Sequence, residues 1–193
     1  MYKLLAVTNR HLCENDFLTQ IENICKFGHE DTHIESLSIV LREKDLPEEE
    51  YKNLAVKVLN ICNENNTKCI LHTYYKAAIE LDCRNIHLPL HILKSNPDII
   101  NSFHEVGVSI HSADEAMVAF SLGASYITAG HIFETNCKKD LPPRGLEFLS
   151  TICSSVNIPV YAIGGITFEN AQKAVSAGAE GVCIMSGFMR KIY

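Results

Sequence analysis

Small residues follow the last two apolar runs of the chain. Gly164-Gly165 comes after Val160–Ile163, and Ser186-Gly187 closes the run Gly181–Met185. Without bulky side chains, backbone N–H groups can approach an anion closely, so paired sites of this kind suit a phosphate. A tight turn would use the same residues, and that plainer role stands beside the first. Upstream lies the stretch GHIFETNCKKDLPPRG at 130–145. It is long for a connection between elements, which suggests a lid over a site. Lys138, Lys139 and Arg144 make it basic within an acidic chain. That favours an anionic substrate, with a solvated charge run as the alternative. His131 sits at its start, where an imidazole titrating near neutrality could move a proton. His72, His91, His111 and His131 recur at repeat-like intervals. A zinc site could draw on such a set, but a residue fixed within a repeating unit inherits the same period. Acidic companions are few beyond Glu43 and Asp45, so a His-metal centre is not expected.

These residues need elements to position them. Eight apolar runs alternate with amphipathic stretches: Leu4–Thr8, Ile34–Leu41, Cys69–Thr73, Asn85–Leu90, Val108–His111, Tyr126–Ala129, Val160–Ile163 and Gly181–Met185. Several are almost continuously apolar, as strands covered on both faces of a parallel sheet are. Helical patterns fill the gaps. Asp16–Phe27 opens on an N-cap and ends near Gly28; Pro47–Asn63 opens on Pro and three Glu. Ser112–Leu122 and Thr167–Ala177 each open on a capping pattern and stop at a glycine. Pro97–Glu105 and Gly145–Ser154 complete the set. The expected fold is α/β: a compact (β/α)8 TIM barrel, one domain over residues 1–193, with its active site at the C-terminal ends of the strands. A doubly wound sheet is the second choice, disfavoured because TNRHL rather than a glycine fingerprint follows the first strand. Too few residues follow Gly187 for a full last helix. Either the barrel closes without one or a neighbouring subunit covers the gap, as in a homo-oligomer.

Composition excludes several classes. The chain has 193 residues, 47% hydrophobic and 21% charged, with a formal charge of −6. That apolar content does not suit disorder, and the charge does not suit nucleic acid as the main partner. No apolar run is long enough to span a membrane. The first residues carry only a short apolar stretch and no secretory signal, and none of the eight cysteines forms a CxxC pair. Free thiols in a cytoplasmic protein are the expectation.

The chain resembles the thiamine phosphate synthase / TenI superfamily over nearly its whole length. The motifs are AVTNR at 6–10, LREKDL at 41–46, GVSIHSADEA at 107–116, GHIFETNCKKDLPPRG at 130–145, IPVYAIGGIT at 158–167 and AGAEGVCIMSG at 177–187. The superfamily fold is a (β/α)8 barrel. Thiamine phosphate synthase couples a pyrimidine pyrophosphate to a thiazole phosphate with Mg²⁺. It typically carries an Asn-Asp pair after the third strand and an Asp after the fourth, where this chain reads Leu71-His72-Thr73-Tyr74 and Leu88-Pro89-Leu90-His91-Ile92. The loop pattern Gly-His-x-Phe-Glu-Thr-x-Cys-Lys-Lys is instead that of the TenI-type thiazole tautomerase. The resemblance therefore implies an isomerase that aromatises a dihydrothiazole carboxylate phosphate, with His131 as its acid–base and no metal or organic cofactor. It also implies substrate contacts. Gly165, Met185, Ser186 and Gly187 belong to the phosphate end. Arg42, Lys44 and Lys138 supply positive charge, and Ser109, His111 and Thr135 complete the lining. Synthase activity, or a non-catalytic regulator that binds a thiamine precursor, are the alternatives.

Overall fold

A period of two along each strand sorts the core of this protein, described here by a computed structural model for residues 1–135 and 141–190. In Tyr2–Val7 (β1), Leu4 and Ala6 pack outward against helices, whereas Leu5 and Val7 join Val40, Ile70, Tyr126, Tyr161 and Cys183 inside the barrel. Alternate side chains of a strand point to opposite faces, so burying both faces requires helices on one side and barrel packing on the other. The remaining strands are Ile34–Leu41 (β2), Lys68–His72 (β3), Asn85–Pro89 (β4), Glu105–Ile110 (β5), Tyr126–Gly130 (β6), Val160–Ile163 (β7) and Gly181–Ile184 (β8). Each pairs in parallel with the next, and β8 pairs with β1, closing the barrel. The expected (β/α)8 architecture is therefore the observed one.

The helices are Phe17–Glu30 (α1), Glu48–Glu64 (α2), Tyr75–Glu80 (α3), Leu90–Ser95 (α4), Ala113–Ser121 (α5), Gly145–Ser155 (α6), Ala171–Ser176 (α7) and Ser186–Arg190 (α8). Asp16 and Ser112 cap α1 and α5 as their sequences predict, accepting from the N–H groups of Thr19 and Glu115. Three expectations change. Gly28 does not end α1. A Cβ there would lie 2.7 Å from Leu37 Cβ, so the glycine lets α1 approach β2 closely. The stretch 97–102 is a 3₁₀ turn, and α7 starts at Ala171 because the Asn170 side chain accepts the Thr167 N–H and holds the preceding turn outside the helix. The sequence reading places no helix at α3 or α4, about one and a half turns each. They are too short for the apolar period to show in sequence.

The short last helix does not leave the barrel open. Phe188 of α8 is fully buried and meets Phe27 and Phe168 edge-on, with centroids 5.7 and 5.3 Å away. The Gln20 side-chain amide donates to the Phe188 carbonyl at 2.6 Å. Aromatic packing fills this position, and the eight strands close within the single chain. Among the described residues no helix is long and apolar enough to cross a membrane.

Candidate active site

The inward positions of the strands continue past their C-terminal ends and form a pocket of about 450 Å³. Leu5 and Val7 lead to Asn9, Val40 to Arg42 and Lys44, Ser109 to His111, Thr128 to Gly130, Ile163 to Gly165, and Cys183 to Met185; all of them line it. Arg42, Lys44, Ser109, His111, His131, Thr135, Gly165, Met185 and Ser186 are thus brought together as expected. Gly187 is not part of the lining. It lies within α8, where a Cβ would come 2.9 Å from Ile184 Cγ2. Lys138, with Cys137 and Lys139, falls outside the described residues.

One side of the pocket is cationic. Arg42 and Lys44 line the main pocket, while Glu43, of opposite parity, is almost wholly buried and lines only a smaller side pocket that it shares with Lys44. Thr8 Oγ1 donates to Glu43 Oε1 at 2.7 Å, and the Arg10 N–H approaches both carboxylate oxygens at 3.1 Å. The Arg10 guanidinium donates to Glu43 Oε2 at 3.1 Å and spans both oxygens of Asp45 at 2.7 and 2.6 Å. This pairing holds the Asp45 carboxyl well below the usual carboxylate range. The Arg42 N–H donates to Thr8 Oγ1, so the loop after β2 is fixed from both sides of Glu43. Below it, buried Tyr51 of α2 donates to the Leu41 carbonyl at 2.7 Å and accepts from the His72 N–H at 2.8 Å, pinning the ends of β2 and β3.

The floor is a neutral imidazole pair. The rings of His72 and His87 stack with centroids 5.5 Å apart. His87 bonds Tyr126 Oη through Nδ1 at 3.0 Å and Ser109 Oγ through Nε2 at 2.8 Å, and Thr73 Oγ1 meets His72 Nδ1 at 2.6 Å. Burial first, then the charges of Lys44 and Arg42, push the His87 pKa down to about 3, and burial likewise holds His72 well below its ordinary value. Both are neutral at physiological pH.

Opposite lie the glycine loops. Gly164 and Gly165 have φ of +94° and +67°, a region that favours glycine. Any Cβ at Gly164 would overlap His131, and one at Gly165 would overlap the backbone of residues 133–134. His131 therefore sits beside the phosphate-type loop rather than across the pocket from it. It is buried, and its Nε2 lies 3.2 Å from the Leu141 carbonyl. The Gly130–His131 peptide is cis. The returning loop is stitched down by the Arg144 N–H to the His131 carbonyl and the Gly145 N–H to the Ile132 carbonyl. Arg144 does not face the pocket: its guanidinium lies 4.8 Å over the Phe148 ring. Among the described residues no three His, Cys, Asp or Glu converge as a metal site. His111 bonds the Gly130 carbonyl, and His91 borders a smaller side pocket of about 240 Å³ with Glu43 and Thr73.

Residues 4–188 match the family described as Thiamine monophosphate synthase. The chain belongs to that family. A thiamine-phosphate synthase of Clostridium acetobutylicum is 32% identical over 97% of this chain and 87% of its own length. One from Roseiflexus sp. is 32% identical over 94% and 75%. The solved structure of thiamine phosphate pyrophosphorylase from Pyrococcus furiosus superposes with a TM-score of 0.77 at 26% identity, covering 98% of this chain and 88% of that one. These relatives overturn the expected isomerase, since they bear the name of a transferase. The physical reason lies in what the missing carboxylates mean. Their absence removes ligands for a metal but not the pocket's positive charge, which Arg42 and Lys44 supply.

Sequence reasoning overlooked Asn9, Pro89, Thr128 and the joining of His72 to His87. Strand parity carried past each C-terminal end would have found all of them.

Proposed function

We propose that this family member joins a phosphorylated thiazole to a pyrimidine carried on a diphosphate, the thiamine-phosphate synthase reaction. The observation that carries the reading is the pocket's two unlike ends: Arg42 and Lys44 on one side, and the Gly164–Gly165 and Met185–Ser186 backbone on the other. A reaction between two phosphorylated substrates needs two anion sites facing one cavity. The names of the relatives support the same reaction.

In that reaction the thiazole nitrogen donates its lone pair to the pyrimidine's exocyclic methylene carbon. The bond from that carbon to the diphosphate oxygen breaks, and its electron pair leaves with the diphosphate. Arg42 and Lys44 offset the charge that builds on this leaving group. Backbone groups of Gly165 and Ser186 hold the thiazole phosphate, with Gly187 behind them allowing α8 to pack. Ser109 and Thr128, tied to neutral His87, present a fixed polar wall. No proton changes hands in the bond-forming step, so His131 acts as a positioning residue that ties the end of the 131–141 loop to the phosphate side. The family's Mg²⁺ does not fit the described side chains: no carboxylate lines the main pocket, and Glu43 beside it is fully engaged. No step is routed through the metal.

The test is a coupling assay with both phosphorylated substrates, in EDTA and in Mg²⁺, read as thiamine phosphate formed. Product above background in either buffer supports the reading; none in both sinks it.

A further inference from the structure

The misfit with magnesium has a consequence for how the cationic end works. Mg²⁺ is a hard ion that takes oxygen ligands, and in phosphate-transfer sites it is usually anchored by one or two protein carboxylates. The acidic residues next to Arg42 and Lys44 in the chain are Glu43 and Asp45. Glu43 is buried, with its oxygens held by Thr8, the Arg10 N–H and the Arg10 guanidinium. Asp45 is clamped by the same guanidinium and by His11 Nε2 at 2.8 Å. Their charge is spent on holding the loop. The residues of β3 and β4 that line the pocket are His72, His87 and Pro89, which offer no anionic oxygen. Arg42 and Lys44 stay on the pocket side because Glu43 takes the opposite parity.

We infer that this end of the pocket binds a diphosphate, free or esterified, directly on Arg42 and Lys44, without a protein-held divalent cation. Two cations beside an uncharged floor give an anion its charge compensation, and a guanidinium matches two phosphate oxygens at once. The neutral imidazoles add no competing charge, since both are held below their ordinary pKa by burial and by these two cations. Direct binding deepens the coupling reading and rests on it for the identity of the natural ligand.

The probe is inorganic pyrophosphate, titrated calorimetrically into the full chain in EDTA and, separately, in Mg²⁺. Saturable binding is expected in EDTA, with no tightening by Mg²⁺. Arg42→Gln and Lys44→Gln should each weaken it by about tenfold or more, with the melting temperature held, because each removes a charge-assisted contact. Binding seen only with Mg²⁺, or binding in EDTA that survives both substitutions, overturns the inference. The two readings fail separately. Pyrophosphate bound in EDTA by a protein that makes no thiamine phosphate removes the coupling and leaves direct binding. Thiamine phosphate made only in Mg²⁺, with pyrophosphate bound only in Mg²⁺, removes direct binding and leaves the coupling.

Discussion

His87 reaches Tyr126 across the side chain that Gly107 lacks. The three residues lie side by side on β4, β5 and β6, with His87 paired to Gly107 and Gly107 paired to Tyr126. A Cβ at Gly107 would overlap the Tyr126 hydroxyl and come 2.5 Å from His87 Nδ1. The hydrogen bond that fixes the pocket floor thus depends on the emptiest residue of the layer.

Gly107→Ala should therefore separate His87 from Tyr126 and overpack the barrel. Forced methyl groups in packed cores cost about 1–3 kcal/mol. Denaturant melts should show a loss in that range, and His87 ring resonances should move. A variant as stable as the parent, with those resonances unmoved, would show that the layer has slack.

The two buried imidazoles make stability depend on pH. Unfolded His titrates near 6.5, whereas His87 is pushed down to about 3 and His72 well below its ordinary value. Between those limits the unfolded chain binds protons that the folded one refuses. Stability is then full above about pH 6.5 and falls as the pH drops toward 3, by up to about 1.4 kcal/mol per pH unit for each histidine. Urea melts at a series of pH values should show the fall, and His87→Asn should flatten it. An unchanged slope in the variant would mean that other groups carry it.

Gly165→Ala should act on the protein before it acts on any ligand. Its Cβ would be driven into the backbone of residues 133–134 from a φ of +67°. Left-handed strain plus overlap of this kind costs on the order of 1–3 kcal/mol. The melting temperature and thiazole phosphate binding should both drop. Weaker binding with an unchanged melting temperature would show that the residue touches only the ligand.

His131→Gln keeps an N–H that can donate to the Leu141 carbonyl but loses acid–base chemistry. As a positioning residue, His131 should tolerate it with turnover within about tenfold and an unaltered pH profile. His131→Ala should instead raise KM for the thiazole phosphate. General acid–base groups are worth about 10²–10⁴-fold, so a loss of that size in His131→Gln would make the residue a proton carrier.

Phe188→Ala removes the side chain that closes the last position of the barrel. Truncating a buried Phe costs about 3–5 kcal/mol. A loss below about 1 kcal/mol, measured by chemical denaturation, would show that the Phe27–Phe168 contact alone suffices.

Local physics made much of this protein legible in its sequence. The apolar run of β7 marked that strand to the residue, and β2 was bounded as well, although Glu35 and Ser36 near its start are exposed. Asp16 and Ser112 marked helix starts, because free N–H groups at a helix end want a side-chain acceptor close in the chain. Placing the site at the strand ends followed from the barrel, and most of its candidate residues do line one pocket. Tertiary structure decided what depends on partners far away in the chain. In sequence Gly28 reads as a helix end, Gly107 only as part of a motif, and Gly165 as a phosphate-approach or turn glycine. One admits a neighbouring strand, one a hydrogen bond and one a loop, since the atoms that exclude a Cβ come from other elements. Glu43 reads as a candidate site carboxylate, but Thr8 and Arg10 at the end of neighbouring β1 engage it. The balance of charge in the pocket, cationic and without a described carboxylate, exists only once parity has turned Arg42 and Lys44 inward and Glu43 away.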